Sequence, residues 1–129
     1  MKPHPKIIDR ILQAIRDSQT MCVAGHIRPD GDCIGSQVGL SLALQNEGKK
    51  VVCWNEDPVP QKLAFLDPKK LMQPPRAGVR FDCVIATDSA SLERLGRVRE
   101  SIQRRTDAAG HLRNGVKLVV QGFRRGGPW

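Results

Sequence analysis

The sequence predicts an α/β protein: a parallel, Rossmann-like sheet with helices on both faces. Three short apolar runs, at residues 20–25, 50–54 and 81–87, have the length and composition of buried strands. Segments with helical apolar spacing precede the first run, separate it from the second and follow the third. Strands alternating with helices in this way pair in parallel, because a crossover between parallel strands needs a helix or a long connection.

Taken in order, Ile7, Ile8, Ile11, Leu12 and Ile15 recur at helical spacing behind Pro5, so residues 6–18 read as an amphipathic helix that packs on something. The run Thr20 to Gly25 is the first strand, and the polar loop His26 to Asp32 follows it directly. A second helix is expected from about Cys33 to Glu47, with Ile34, Val38, Leu42 and Gln45 on one stripe and Gly48 as its stop. Lys50 to Trp54 is the second strand. Asn55 to Pro75 is rich in proline and reads as a surface excursion with one helix-like piece, Gln61 to Leu66. Phe81 to Thr87 is the third strand, followed by Asp88 and then by a helix capped by Ser91 that carries Leu92, Leu95, Val98 and Ile102.

Hydrophobic residues make up 40% and charged residues 26% of the 129, a composition that argues against general disorder. No apolar run reaches the roughly 18 residues of a membrane span, and the first 15 residues lack a signal peptide's apolar core, so a cytoplasmic protein is expected. Cys22, Cys33, Cys53 and Cys83 form no CxxC pair, which leaves them as buried thiols rather than a zinc site or a disulfide frame. The net charge is +8, of which +5 falls in residues 104–129, so the basic excess is a property of the tail more than of the body. A basic tail can meet phosphate backbones without specificity, but such runs are commonly just solvated.

In open parallel sheets ligands sit beyond the carboxyl ends of the strands. His26 lies just past the first strand and Asp88 just past the third; if those strands are neighbours, the loop from His26 to Asp32 and Asp88 share one crevice. The loop holds an imidazole and two carboxylates, Asp30 and Asp32, within seven residues, with Pro29 to stiffen it and Gly31 to let it bend. Asp32, directly before a helix, stands where amide groups and the helix dipole favour negative charge. Imidazole with carboxylates and no thiolate suits manganese, with magnesium or iron as alternatives, and two such ions can activate water and stabilise the departing oxygen of a phosphoester. Each residue also has a plainer reading. A histidine at a strand end can simply hydrogen-bond, Asp-Gly-Asp is a common turn with an N-cap, Arg28 can face solvent, and Gly35 and Ser36 fit close helix packing as well as a ligand.

The run His26-x-x-Pro29-Asp30-x-Asp32-x-Ile34-Gly35-Ser36, with Val84-Ile85-Ala86-Thr87-Asp88 later, resembles the first two motifs of the DHH phosphoesterases (RecJ-like). The branch it is most similar to hydrolyses short oligoribonucleotides and removes phosphate from adenosine bisphosphate (pAp). The resemblance covers about residues 5–103 and extends to Leu63-Ala64-Phe65-Leu66 and to residues 90–96. It implies that His26, Asp30, Asp32 and Asp88 are ligands of two manganese ions, with Asp88 the bridge, and that the three aspartates are catalytic. It also implies a short RNA or nucleotide as substrate; no membrane association and no stable protein partner are predicted. Cys33 replaces the small alanine usual in the family.

The family's later Asp-His-His triplet, its further metal-binding aspartate and its substrate-binding domain have no counterpart here. The expectation is therefore that residues 1–103 are the N-terminal part of a phosphoesterase domain, and that 104–129 are a basic Arg/Gly-rich tail of foreign or frame-shifted origin. Within that tail, residues 116–120 are the one run able to add a strand, and His111 reads as a solvated loop residue. Weak manganese binding with little or no turnover is expected of this chain alone. The competing readings are a noncatalytic nucleotide- or RNA-binding remnant and a phosphatase with an aspartate nucleophile. The latter is disfavoured because a histidine occupies the strand terminus where that nucleophile belongs.

Overall fold

The computed structural model describes residues 5–79, 81–87, 95–98 and 117–121. Helix α1 (Pro5–Arg16) leads into β1 (Thr20–Ala24), α2 (Gly31–Asn46) and β2 (Lys50–Trp54). A 3-10 helix (Gln61–Leu66), β3 (Met72–Gln73), β4 (Cys83–Thr87) and β5 (Lys117–Gln121) follow. The five strands form one parallel sheet in the order β3-β2-β1-β4-β5. From β1 the chain moves outward on one side through β2 and β3, then returns to the other side of β1 for β4 and β5. That reversal puts the topological switch point between β1 and β4, where open α/β sheets bind ligands.

The side-chain alternation of the central strands accounts for both layers. Met21 and Val23 of β1 and Cys83 and Ile85 of β4 face one side, where Leu44 and Leu40 of α2 and Ile15 of α1 cover them. Cys22, Ala24, Val84 and Ala86 face the other, against Trp54, Phe81, Leu95 and Val98. Trp54 and Phe81 meet edge to face with centroids 5.5 Å apart, a favoured aromatic geometry. At the lower edge, Asp82 Oδ2 accepts from Gln19 N at 3.0 Å while Asp82 N donates to Thr20 O at 2.8 Å. This clasp pins the start of β4 to the start of β1, so the register Ala24↔Ala86 brings the two strands level at their carboxyl ends.

The parallel α/β sheet expected from the sequence is present, with several differences. Helix α2 begins at Gly31, two residues before the expected start, because the Asp30 carboxylate takes the N-cap position and accepts from Cys33 N at 2.8 Å. Its buried face is Cys33, Ile34, Gln37, Val38, Ser41 and Leu44, whereas Leu42 is 38% exposed and Gln45 is exposed. The expected stripe drifted off the inner face after Val38 and so missed that Gln37, Ser41 and Leu44 lie on it. On α1, Ile8 and Leu12 stay 40% and 45% exposed, so the described residues cover only part of its apolar stripe.

The proline-rich excursion is not all surface. Asn55 and Asp67 are buried within it, and β3 adds a strand that the sequence reading missed. Asp67 organises that strand by accepting from Leu71 N at 2.8 Å and Met72 N at 3.0 Å. Residues 117–121 of the tail form the edge strand β5, close to the run singled out in sequence. Most of the helix expected after Ser91 lies outside the described residues; within 95–98, Leu95 and Val98 are fully buried. Among the described residues no helix is long and apolar enough to cross a membrane.

Candidate metal centre

Strand β1 ends at Ala24, and Gly25 follows it at a point where no larger residue fits. A Cβ at Gly25 would lie 1.9 Å from Gln37 Oε1 and 2.8 Å from Cys33 Sγ. His26 comes next, only 5% exposed, at the carboxyl end of the central strand beside the switch point. Its Nδ1 lies 2.7 Å from Ile27 O. A carbonyl only accepts, so this contact is a hydrogen bond in the tautomer that has its proton on Nδ1 and its lone pair on Nε2. Nε2 stands 3.9 Å from Asp30 Oδ1, within the roughly 4.2 Å that two bonds to one small divalent ion can span.

Asp30 does two things at once: it caps α2 through Oδ1 and it presents a carboxylate that is 64% exposed toward His26. Asp32 sits in the first turn of α2, exposed, rather than before the helix as the sequence reading had it. A carboxylate there is still favoured by the helix dipole. Asp88 lies outside the described residues. The condition placed on it, that β1 and β4 be parallel neighbours, is met, and β4 ends at Thr87, whose Oγ1 donates to Ala24 O at 3.5 Å. Of the four residues singled out in sequence, the described ones bring His26 and Asp30 together. Among the described residues no group of three or more His, Cys, Asp or Glu side chains is gathered closely enough to hold a metal.

The thiols stand apart from this chemistry. All four are buried and free of disulfides, and burial pushes the Cys53 thiol up to about 11. Cys33 Sγ, the thiol nearest the loop in sequence, points to Gln37 Oε1 at 3.5 Å. Nitrogen and oxygen donors without thiolate fit a hard or borderline divalent ion.

The sequence reading also missed residues. Asn55 and Asp57, at the exit of β2, reach across to the loop: Asn55 Nδ2 donates to His26 O at 2.9 Å, and Asp57 Oδ2 accepts from Arg28 N at 2.7 Å. Gln37 Nε2 donates to Trp54 O at 2.9 Å and to Val23 O at 3.3 Å, bridging α2 to β2 and β1. The signal was available, since Asn-x-Asp follows β2 directly and the rule that places ligands beyond strand ends applies to β2 as well. Behind the loop, Gly96 at φ 59° tucks under Ile27 and Glu56, where a Cβ would come within 2.6 Å of both side chains, and Arg97 Nε pairs with Glu56 Oε1 at 3.2 Å. In front of it lies an open groove of about 580 Å³ lined by Arg28, Pro29, Asp30, Gly31, Asp57 and Lys62, among others.

The parallel sheet has a solved counterpart. The chain superposes on a crystal structure of an exopolyphosphatase-related protein from Bacteroides fragilis with a TM-score of 0.73, at 17% identity, covering 92% of this chain and 39% of that one. At that identity the likeness establishes the fold. No protein-family model matches the chain. In sequence the chain is 32% identical over 96 residues to the bifunctional oligoribonuclease and PAP phosphatase NrnA of Thermus thermophilus, covering 70% of this chain. The sequence likeness bears out the resemblance to the DHH-family phosphoesterases read from the two motifs. The chain spans 27% of the length of the Thermus relative.

Proposed function

We propose that this chain takes part in metal-dependent phosphoester hydrolysis, with His26, Asp30, Asp32 and Asp88 holding two divalent ions, manganese foremost. The substrates are short oligoribonucleotides or nucleotides such as pAp, and the setting is cytoplasmic RNA degradation. The observation that carries this reading is the placing of a buried imidazole with its Nε2 3.9 Å from the Asp30 carboxylate at the switch point of the sheet. The similarity to an enzyme named for oligoribonuclease and PAP phosphatase activity supports the substrate class.

When bound, the ions supply a Lewis acid for the phosphoryl oxygens and lower the pKa of coordinated water. The protein's own part is to place the donors. His26 is held by the end of β1, Asp30 by its cap on α2, and Asp32 by the first helical turn. The N-terminus of α2 also offers amide groups to a substrate phosphate. The groove beside the loop carries Arg28 and Lys62, two cations on the path of a polyanionic substrate.

The test is manganese titration calorimetry on the whole chain beside an Asp32→Ala variant, followed by hydrolysis of pAp and short oligoribonucleotides. Weak binding by the natural chain, lost in the variant, with little turnover, is expected. Equal heats from both proteins would leave a noncatalytic nucleotide- or RNA-binding remnant as the better account.

A further inference from the structure

Two side chains at the exit of β2 hold the backbone of the candidate loop, and their hold reaches the imidazole. Asn55 is only 2% exposed; its Nδ2 donates to His26 O at 2.9 Å and to Gln37 Oε1 at 3.2 Å, and its Oδ1 accepts from Asp57 N at 2.9 Å. Asp57, fixed in this way, accepts the Arg28 N–H at 2.7 Å. That N–H belongs to the peptide unit whose carbonyl, Ile27 O, lies 2.7 Å from His26 Nδ1. A continuous chain results: carboxylate, peptide group, imidazole.

Each link strengthens the next. A carboxylate on a peptide N–H polarises the group and makes its carbonyl a better acceptor. A better acceptor at Ile27 O holds the proton on Nδ1, which keeps the lone pair on Nε2 toward Asp30. Metal-bound histidines commonly have a carboxylate or carbonyl on the second ring nitrogen, and here a carboxylate acts through a carbonyl. Arg28 sits at φ 52°, a left-handed conformation that non-glycine residues adopt rarely, with its N–H on Asp57.

We propose that Asp57, braced by Asn55, is a positioning residue for His26, setting the tautomer and ring orientation of the imidazole through the peptide between Ile27 and Arg28. The consequence for metal binding rests on the reading of His26 as a ligand; the tautomer itself does not. Asp57 is half-buried and belongs to no helix or strand, so its replacement spares the core.

The experiment uses the whole chain with ring-nitrogen-labelled histidine, free of metal, at a pH above the ordinary histidine range. The His26 signals are identified by their loss in His26→Gln. The expected result is a proton on Nδ1 in the natural chain and in Asp57→Asn, which keeps an acceptor oxygen. In Asp57→Ala the proton moves toward Nε2, and manganese affinity falls about tenfold. A natural chain with the His26 proton on Nε2 overturns the proposal without any variant. So does an Asp57→Ala protein that keeps the natural tautomer. A natural chain that binds no manganese overturns the metal reading instead, and the tautomer still decides the role of Asp57.

Discussion

Asp30 carries two roles that different substitutions separate. As N-cap of α2 its Oδ1 accepts from Cys33 N at 2.8 Å, and as a candidate ligand the same carboxylate faces His26 Nε2 at 3.9 Å. Asparagine caps helices about as well as aspartate, so Asp30→Asn keeps the first role and weakens the second, while Asp30→Ala removes both. Loss of a cap costs about 1 kcal/mol, and loss of charge at a helix N-terminus costs about 0.3 kcal/mol at a site as exposed as this one. With an unfolding entropy of about 2.1 cal/mol/K per residue over 129 residues, 1 kcal/mol corresponds to about 4 °C in melting temperature. The expected result is a melting point about 5 °C lower in Asp30→Ala and about 1 °C lower in Asp30→Asn, read by circular dichroism without metal. Manganese titration of the same proteins should show both weakened about tenfold or more. Equal melting points for the two variants would refute the cap argument, and natural manganese affinity in Asp30→Asn would refute the ligand argument.

Gly25→Ala forces a Cβ against Gln37 Oε1 and Cys33 Sγ, and the Gln37 side chain is tied to Trp54 O and Asn55, so the network must give way. A loss of about 1–3 kcal/mol in urea unfolding is expected, and a variant as stable as the natural chain would show that the network yields freely. The Cys53 thiol, raised by burial from 9.0 to about 11, stays protonated in the folded chain while the unfolded chain ionises first. Its contribution is therefore fully present below about pH 9 and lost as pH rises toward about 11, a fall of about 2–3 kcal/mol. Urea midpoints between pH 8 and 11 read this, and a slope unchanged in Cys53→Ala would assign the loss to other groups.

The strands and the loop were open to a reading from sequence because their signals are local. Buried parallel strands must be apolar along their whole length, so residues 20–25, 50–54 and 81–87 declare themselves, and His26, Asp30 and Asp32 follow from their place after the first. The edge strand Met72–Gln73 gave no such signal, since two residues carry no pattern, and its formation depends on Asp67 holding Leu71 and Met72. The start of α2 was misplaced for a related reason: Asp30 and Asp32 are equally good caps on paper, and the chain's path out of β1 chose between them.

By itself, then, the sequence determined the alternation of buried strands with helices and the donor types carried by the loop after β1, because periodicity and residue identity are properties of the chain. Only tertiary structure decided which strands adjoin. The Asp82 clasp and the return of the chain past β1 set β4 beside it and made the end of β1 a switch point. Tertiary structure also decided that Asn55 holds the backbone of His26 and Asp57 that of Arg28, each from some thirty residues along the chain, since a hydrogen bond depends on distance in space and leaves no mark on spacing in sequence.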